Sequence, residues 1–198
     1  VKFISDICIE LPAWIEGYVD QWSGQTESAE DALSLAIALS AENVKRETGG
    51  PFGAVVADES SGRVLGVGVN SVTAAGLSLA HAEMVAISQA QAAIGHWNLA
   101  SAGSMLLATS CEPCAMCYGA VPWSGIKTLV WGARREDAEA CGFDEGEKPD
   151  DWQAALNRRG IRTIGELLRD EAAEILRRYA RFDGEIYHPA KSDGSESC

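Results

Sequence analysis

Across residues 28–46 the apolar positions Leu33, Ala36, Ile37, Ala41 and Val44 recur every three or four residues, which predicts one face of a helix. Gly49-Gly50-Pro51 ends it. The pattern then tightens. Residues 52–57 and 64–69 are short apolar runs on either side of Ser60-Ser61-Gly62, which predicts a hairpin, with Asn70 as a turn residue after its second strand. Residues 73–80 read as a loop. Over 81–94 no charge follows Glu83 and the segment is apolar nearly all round, so it predicts a helix buried on more than one side, by the sheet and by other helices or a second subunit. Residues 104–109 predict a strand, 114–121 a helix and 128–133 a strand, a sequence that implies a parallel pair joined by a right-handed crossover. A short helix over 135–140, a turn-rich acidic loop over 141–151, a helix over 152–158, a last strand over 161–164 and a helix over 165–182 complete the body. Ahead of it, residues 1–27 have no clean period, although Leu11, Trp14, Ile15 and Tyr18 suit a short amphipathic turn lying on the body. Behind it, residues 183–198 form a tail that carries Ile186-Tyr187-His188-Pro189 and a polar end expected to be mobile. The order α-β-β-α-β-α-β-α-β-α predicts an α/β fold with a mixed sheet covered by helices on both faces.

Two motifs stand apart from this packing pattern. His81-Ala82-Glu83 opens one predicted helix, and Pro113-Cys114-Ala115-Met116-Cys117 opens another. Pro113 suits a first helical turn, where its missing N–H costs nothing. Cys114 and Cys117 then lie at i and i+3 on one face, and the positive end of the helix favours their thiolate forms. Two thiolates and the neutral imidazole of His81 make three zinc ligands. They leave a fourth tetrahedral position for water, which marks a catalytic zinc, one per chain. Such a metal lowers the pKa of its water to about 7. His81 and Glu83 would point roughly 200° apart in mid-helix and can serve one site only in a first turn. Glu83 is then a general acid/base beside the metal. The competing reading is a structural zinc knuckle with Cys111 as the fourth ligand. Cys111 precedes Pro113, outside the helical register of the pair, and that reading leaves His81-Ala82-Glu83 without a purpose.

Composition narrows the setting. The 198 residues are enough for one domain with a sizeable core, and 46% hydrophobic with 23% charged residues is ordinary for a soluble globular chain. No apolar run reaches transmembrane length, and residues 1–10 carry no secretory pattern. The six cysteines read as reduced thiols of a cytoplasmic protein, with Cys8, Cys141 and Cys198 incidental or packed. A net charge of −13 argues against a nucleic-acid partner. Seven arginines between Arg158 and Arg181 are interleaved with Glu166, Asp170, Glu171 and Glu174, which predicts a solvated, salt-bridged helix. A small molecule is the expected substrate.

His-x-Glu followed by Pro-Cys-x-x-Cys is the pattern of zinc-dependent base deaminases. From about Glu30 to Phe182 the chain resembles the cytidine-deaminase-like superfamily, in its branch of guanine, cytosine and tRNA-adenosine deaminases. The matching pieces are Gly50-Pro51-Phe52-Gly53-Ala54, Val69-Asn70, His81-Ala82-Glu83, the segment from Ser110 to Cys117, and Trp131-Gly132-Ala133. The resemblance implies a three-layer α/β/α sandwich with a five-stranded mixed sheet, usually a homodimer, and a deaminase domain over 28–182. Within the branch, Gly142-Phe143-Asp144-Glu145 looks most like the guanine deaminases, which implies Glu145 as a second proton shuttle. Read without the resemblance, Glu145 is a solvated turn acid. The resemblance also implies Asn70 as a base-binding amide, Ala82 against the substrate, Phe52 and Phe143 as apolar walls, and Tyr187 as part of a tail that closes the site. Trp123 is either a wall of the base pocket or core packing at a helix end. The implied reaction is hydrolysis of guanine to xanthine and ammonia, with a tRNA adenosine or another nucleobase as the rival substrate.

Overall fold

The computed structural model describes residues 6–22 and 24–187. The polar end of the tail, with His188 and Cys198, lies outside the described residues. The elements in chain order are α1 (Trp14–Val19), α2 (Ala29–Lys45), β1 (Gly53–Asp58), β2 (Val64–Val69), α3 (Val72–Ala75), α4 (Ala82–Ile94), β3 (Met105–Cys111), α5 (Ala115–Ser124), β4 (Thr128–Ala133), α6 (Arg135–Glu139), α7 (Trp152–Arg158), β5 (Arg162–Ile164) and α8 (Arg169–Arg181). No helix among the described residues is long and apolar enough to cross a membrane.

The five strands form one sheet in the order β2-β1-β3-β4-β5. β1 is antiparallel to β2 and β3, whereas β3-β4 and β4-β5 are parallel. The mixed sheet and its two helical layers are therefore those expected. Every residue of β1, β3 and β4 is buried, because each strand is covered on both faces. Val55, Ala57 and Ala108 join Leu33, Leu39 and Leu176 in one core, under α2 and α8. Val56, Leu107 and Leu129 join Ala86, Val121 and Leu156 in the other, under α4, α5 and α7. Fully burying one such leucine contributes about 1.5–3 kcal/mol. Two glycines of β2 set the height of α4. A Cβ at Gly68 would run into the Ala82 carbonyl, and one at Gly66 into that of Ala86. The start of α4, which carries His81, thus sits tight against the end of β2.

Boundaries differ from the expected ones where tertiary contacts decide. The last helix begins at Arg169 and not at residue 165, since Glu166 (φ 62°) and Leu168 (φ 49°) take left-handed backbone that no helix accommodates. Gly165 is held against the indole of Trp131, where a Cβ would clash. The loop ahead of His81 contains the extra short helix α3. α5 begins at Ala115 with Cys114 as its N-cap, so Pro113 lies just outside the helix and not in its first turn. In the N-terminal segment, Ile15 is buried in the core beneath α2, and the Trp14 indole donates to Thr48 Oγ1 at 3.1 Å. The late arginines pair with acids as expected: Arg177 and Arg181 with Glu174, and Arg169 with Asp137.

At the end of β1, the Asp58 carboxylate accepts from the Ser60 hydroxyl (2.6 Å) and amide (3.0 Å), and from the Ser61 amide (2.8 Å) and hydroxyl (2.9 Å). These bonds, the Ser60 hydroxyl foremost, pull its pKa from 3.8 to about 2. A depressed carboxyl stabilises the fold while ionised. Its contribution is complete above a pH of about 4 and is lost as pH falls through about 2. Asp58→Ala should lower the unfolding free energy near neutral pH by about 1–3 kcal/mol in urea titrations. The gap to the wild type should close on acidification; a gap independent of pH would contradict this role.

Candidate active site

Two helix starts meet at one end of the sheet, beyond the last residue of β3. His81 is the N-cap of α4, in extended backbone (φ −69°, ψ 150°), and Cys114 is the N-cap of α5 (φ −62°, ψ 171°). Cys117 is the third residue of α5. The N-cap and third positions are the ones whose groups converge in a helical first turn, so the two sulfurs face each other. His81 Nδ1 lies 3.5 Å from Cys114 Sγ and 3.6 Å from Cys117 Sγ, and the three ligand atoms all lie within 4.8 Å of one another. Tetrahedral zinc, with Zn–N about 2.0–2.1 Å and Zn–S about 2.3 Å, separates N from S by about 3.6 Å. The donor set and its spacing therefore fit zinc. With Nδ1 turned to the sulfurs, Nε2 lies 3.4 Å from the Tyr187 hydroxyl, and a metal on Nδ1 would leave the ring proton on Nε2. The Cys117 thiol beside it, together with His81, draws the Cys114 thiol down to about 4 against the effect of burial. Cys111 is not in the cluster. It is the last residue of β3, and its Sγ donates to the Arg134 carbonyl at 3.5 Å. The four-ligand knuckle therefore has no fourth ligand among the described residues.

Four carboxyls, those of Glu83, Glu112, Asp144 and Glu145, line a cavity with His81 and Cys114, and Glu83 and Glu145 are the buried two. Glu83, the second residue of α4, is 7% exposed, and burial, then the charge of Cys114, pushes its pKa up. Glu145 is 6% exposed, and burial holds its pKa well above the usual carboxylate range. It is no solvated turn acid. The left-handed glycines on either side of it, Gly142 (φ 98°) and Gly146 (φ 67°), turn the loop, and the Ala115 amide donates to the Glu145 carbonyl at 2.9 Å. A carboxyl whose pKa rises toward neutrality can both take and give a proton at neutral pH.

The cavity between these acids and His81 holds only about 30 Å³, the share of one water. Asn70, 1% exposed, donates its side-chain amide to the Tyr187 hydroxyl at 2.6 Å, and the Asn43 amide fixes the Asn70 carbonyl at 3.0 Å. Phe52 and Phe143 meet edge to face at 4.8 Å on the cavity wall. An open cleft of about 870 Å³ adjoins it, and His81, Cys114, Asp144, Glu145 and Tyr187 line both spaces.

Two expected contacts are not in the cavity. Trp123 is 78% exposed and lines neither space. α5 runs on through Pro122 to Ser124, and this phase turns Val121 and Ser124 inward and Trp123 out, so Trp123 is neither pocket wall nor core. Ala82 packs its side chain in the core; only its backbone amide, at the first position of α4, lacks an intrahelical partner. The residues missed by the sequence reading are Glu112 and Asp144, which line the cavity, and Lys148, which pairs with Glu112. Lys148 is the lone basic residue among the acids of 144–151, the one signal that could have flagged it.

Removal of a sulfur separates the ligand role from the acid role. Cys117→Ala should bring zinc, by atomic absorption, from one per chain to near none, and Glu83→Gln should leave it at one. Full zinc in Cys117→Ala would contradict the ligand assignment.

Comparison with known proteins agrees with this geometry. Residues 26–133 match the cytidine and deoxycytidylate deaminase zinc-binding region. The guanine deaminase of Bacillus subtilis is 40% identical over 116 residues, 59% of this chain and 71% of its own length. A solved guanine deaminase from Nitrosomonas europaea is 37% identical, with a TM-score of 0.81 over 91% of this chain and 100% of its own. The protein NE0047, solved in complex with 2,6-diaminopurine, is 38% identical, with a TM-score of 0.83 over 93% and 98% of the two chains. With His81, Cys114 and Cys117 all inside the matched region, the chain belongs to the cytidine and deoxycytidylate deaminase family of zinc-dependent hydrolases.

Proposed function

We propose that this chain hydrolyses guanine to xanthine and ammonia. The zinc centre is common to deaminases of several bases. The observation that carries the guanine reading is the second buried carboxyl, Glu145, in one cavity with Glu83 and the Asn70 amide. The likeness to two guanine deaminases supports it.

His81, Cys114 and Cys117 would hold the zinc, which when bound would lower the pKa of its water to about 7. Glu83 takes the proton of the attacking water and passes it to ring nitrogen N3 as C2 becomes tetrahedral. Glu145 gives a proton to the amino group on C2, the C2–N bond breaks to release ammonia, and the hydroxyl proton freed as the C2 carbonyl forms restores the acid. Asn70 offers both a donor and an acceptor to the ring edge. Phe52 and Phe143 wall the ring and exclude water. We read the tail as a lid over the site: Tyr187 occupies the Asn70 amide, and a base that takes up that amide displaces the bond. Burial of the cavity strengthens each of these charge interactions.

A tRNA substrate is the weaker reading, because a net charge of −13 opposes a polyanion. We also read the chain as a homodimer through α5. That helix carries no charge, and its outward positions Met116, Gly119, Ala120 and Trp123 form a stripe at i, i+3, i+4 and i+7 that no element among the described residues covers fully. The cysteines of the described residues are free, which suits a reducing compartment such as the cytoplasm.

Ammonia release from zinc-replete protein should be fastest with guanine in a panel of guanine, guanosine, adenine, adenosine, cytosine, cytidine and an aminotriazine. Another member in front would move the substrate assignment. Glu145→Ala should lower kcat on guanine by about 10²–10⁴-fold with zinc retained; an unaltered rate would return Glu145 to a structural role. In light scattering, the wild type should weigh two chains and Trp123→Glu one. A wild-type monomer would remove the dimer.

A further inference from the structure

Lys148 is a buried cation that the mechanism does not use. Its side chain is only 2% exposed. Lysine is almost never buried to this degree unless paired, because its ammonium loses hydration. Its Nζ donates to Glu112 Oε1 at 2.5 Å and to the Pro113 carbonyl at 2.6 Å, and it lies 4.8 Å from the ring centroid of Trp152. Trp152 is itself buried against Trp131, 5.0 Å between ring centroids, so the floor under the ammonium is rigid.

The partners of Lys148 are the two residues directly before Cys114, and Lys148 is three residues after Glu145. A second tie joins the same two segments, from the Ala115 amide to the Glu145 carbonyl at 2.9 Å. The ties therefore bracket Cys114, one on each side, and fix the position of the 141–151 loop against the metal loop. A pair needed only for stability gains little from being ionic, since apolar groups of similar volume do as well in a buried position. What an ammonium provides here is direction. It accepts no bond, it holds a carboxylate and a carbonyl at once, and it sets one positive charge among Glu112, Asp144, Glu145 and Glu147.

We propose that Lys148 is a positioning residue: by holding Glu112 and the Pro113 carbonyl it locks the Glu145 loop in register with Cys114. The proposal rests on the deaminase reading of the site. Misplacing a reacting group by about 1 Å costs on the order of 10²-fold in rate. The test uses full-length zinc-loaded Lys148→Met. Its kcat on guanine should fall tenfold or more while KM stays within threefold and zinc stays at one per chain. In the cobalt-substituted protein the thiolate-to-metal absorption should shift. Amides of 142–148 should exchange hydrogen faster than in the wild type. A variant with a lower melting temperature but wild-type kcat per zinc, an unshifted cobalt spectrum and unaltered exchange would overturn the proposal. If Lys148→Met does not fold, Glu112→Ala removes the other half of the tie and is judged by the same readouts. If the wild type leaves guanine untouched, the functional reading fails, and the cobalt spectrum and exchange alone decide the lock.

Discussion

The structure depends on one close approach: an imidazole nitrogen held 3.5–3.6 Å from two sulfurs by the starts of two different helices. Neither helix could place its ligands alone. α4 reaches the site because Gly66 and Gly68 let its backbone settle on β2, and α5 reaches it because β3 ends at Cys111, three residues before the first cysteine ligand. Both helices direct their positive ends at the cluster, where the Cys114 thiolate is favoured. The parallel pairing of β3 and β4 puts the Cys111 end of one beside the Ala133 end of the next, and the Glu112 amide secures the join by donating to the Ala133 carbonyl.

Around that contact the chain concentrates acid in a place with little water. Glu83 and Glu145 are both pushed toward the protonated form by burial, which is the condition for moving protons near neutral pH. The cost of such a cluster is repulsion. The surrounding structure answers it with covalent neighbours, backbone ties and one buried ammonium, and not with a general positive field. The overall charge of the chain has the same sign as the cluster, so a small neutral base is a better guest than a polyanion.

How much of this was legible in the sequence follows from the range of the forces involved. α2, the hairpin and β4 were legible because their apolar spacing alone decides them. The ligands and Glu83 were legible because i+2 and i+3 spacings constrain which side chains can meet in a first turn. Trp123 was not, since its orientation hangs on helix phase after Pro122, and an end placed at residue 121 hides that phase. The left-handed stretch through Glu166 and Leu168 is imposed from outside, by the Trp131 ring against Gly165. Lys148 was invisible because it pairs with a residue 36 positions away, and only the fold brings them together.

The central claim is a zinc held by three protein ligands with one position left for water. X-ray absorption at the zinc edge of the purified protein tests it most directly. The account predicts two sulfurs at about 2.3 Å and two lighter atoms, nitrogen and oxygen, at about 2.0–2.1 Å. A third sulfur, which only Cys111 or another thiol could supply, would close the site and contradict hydrolysis there.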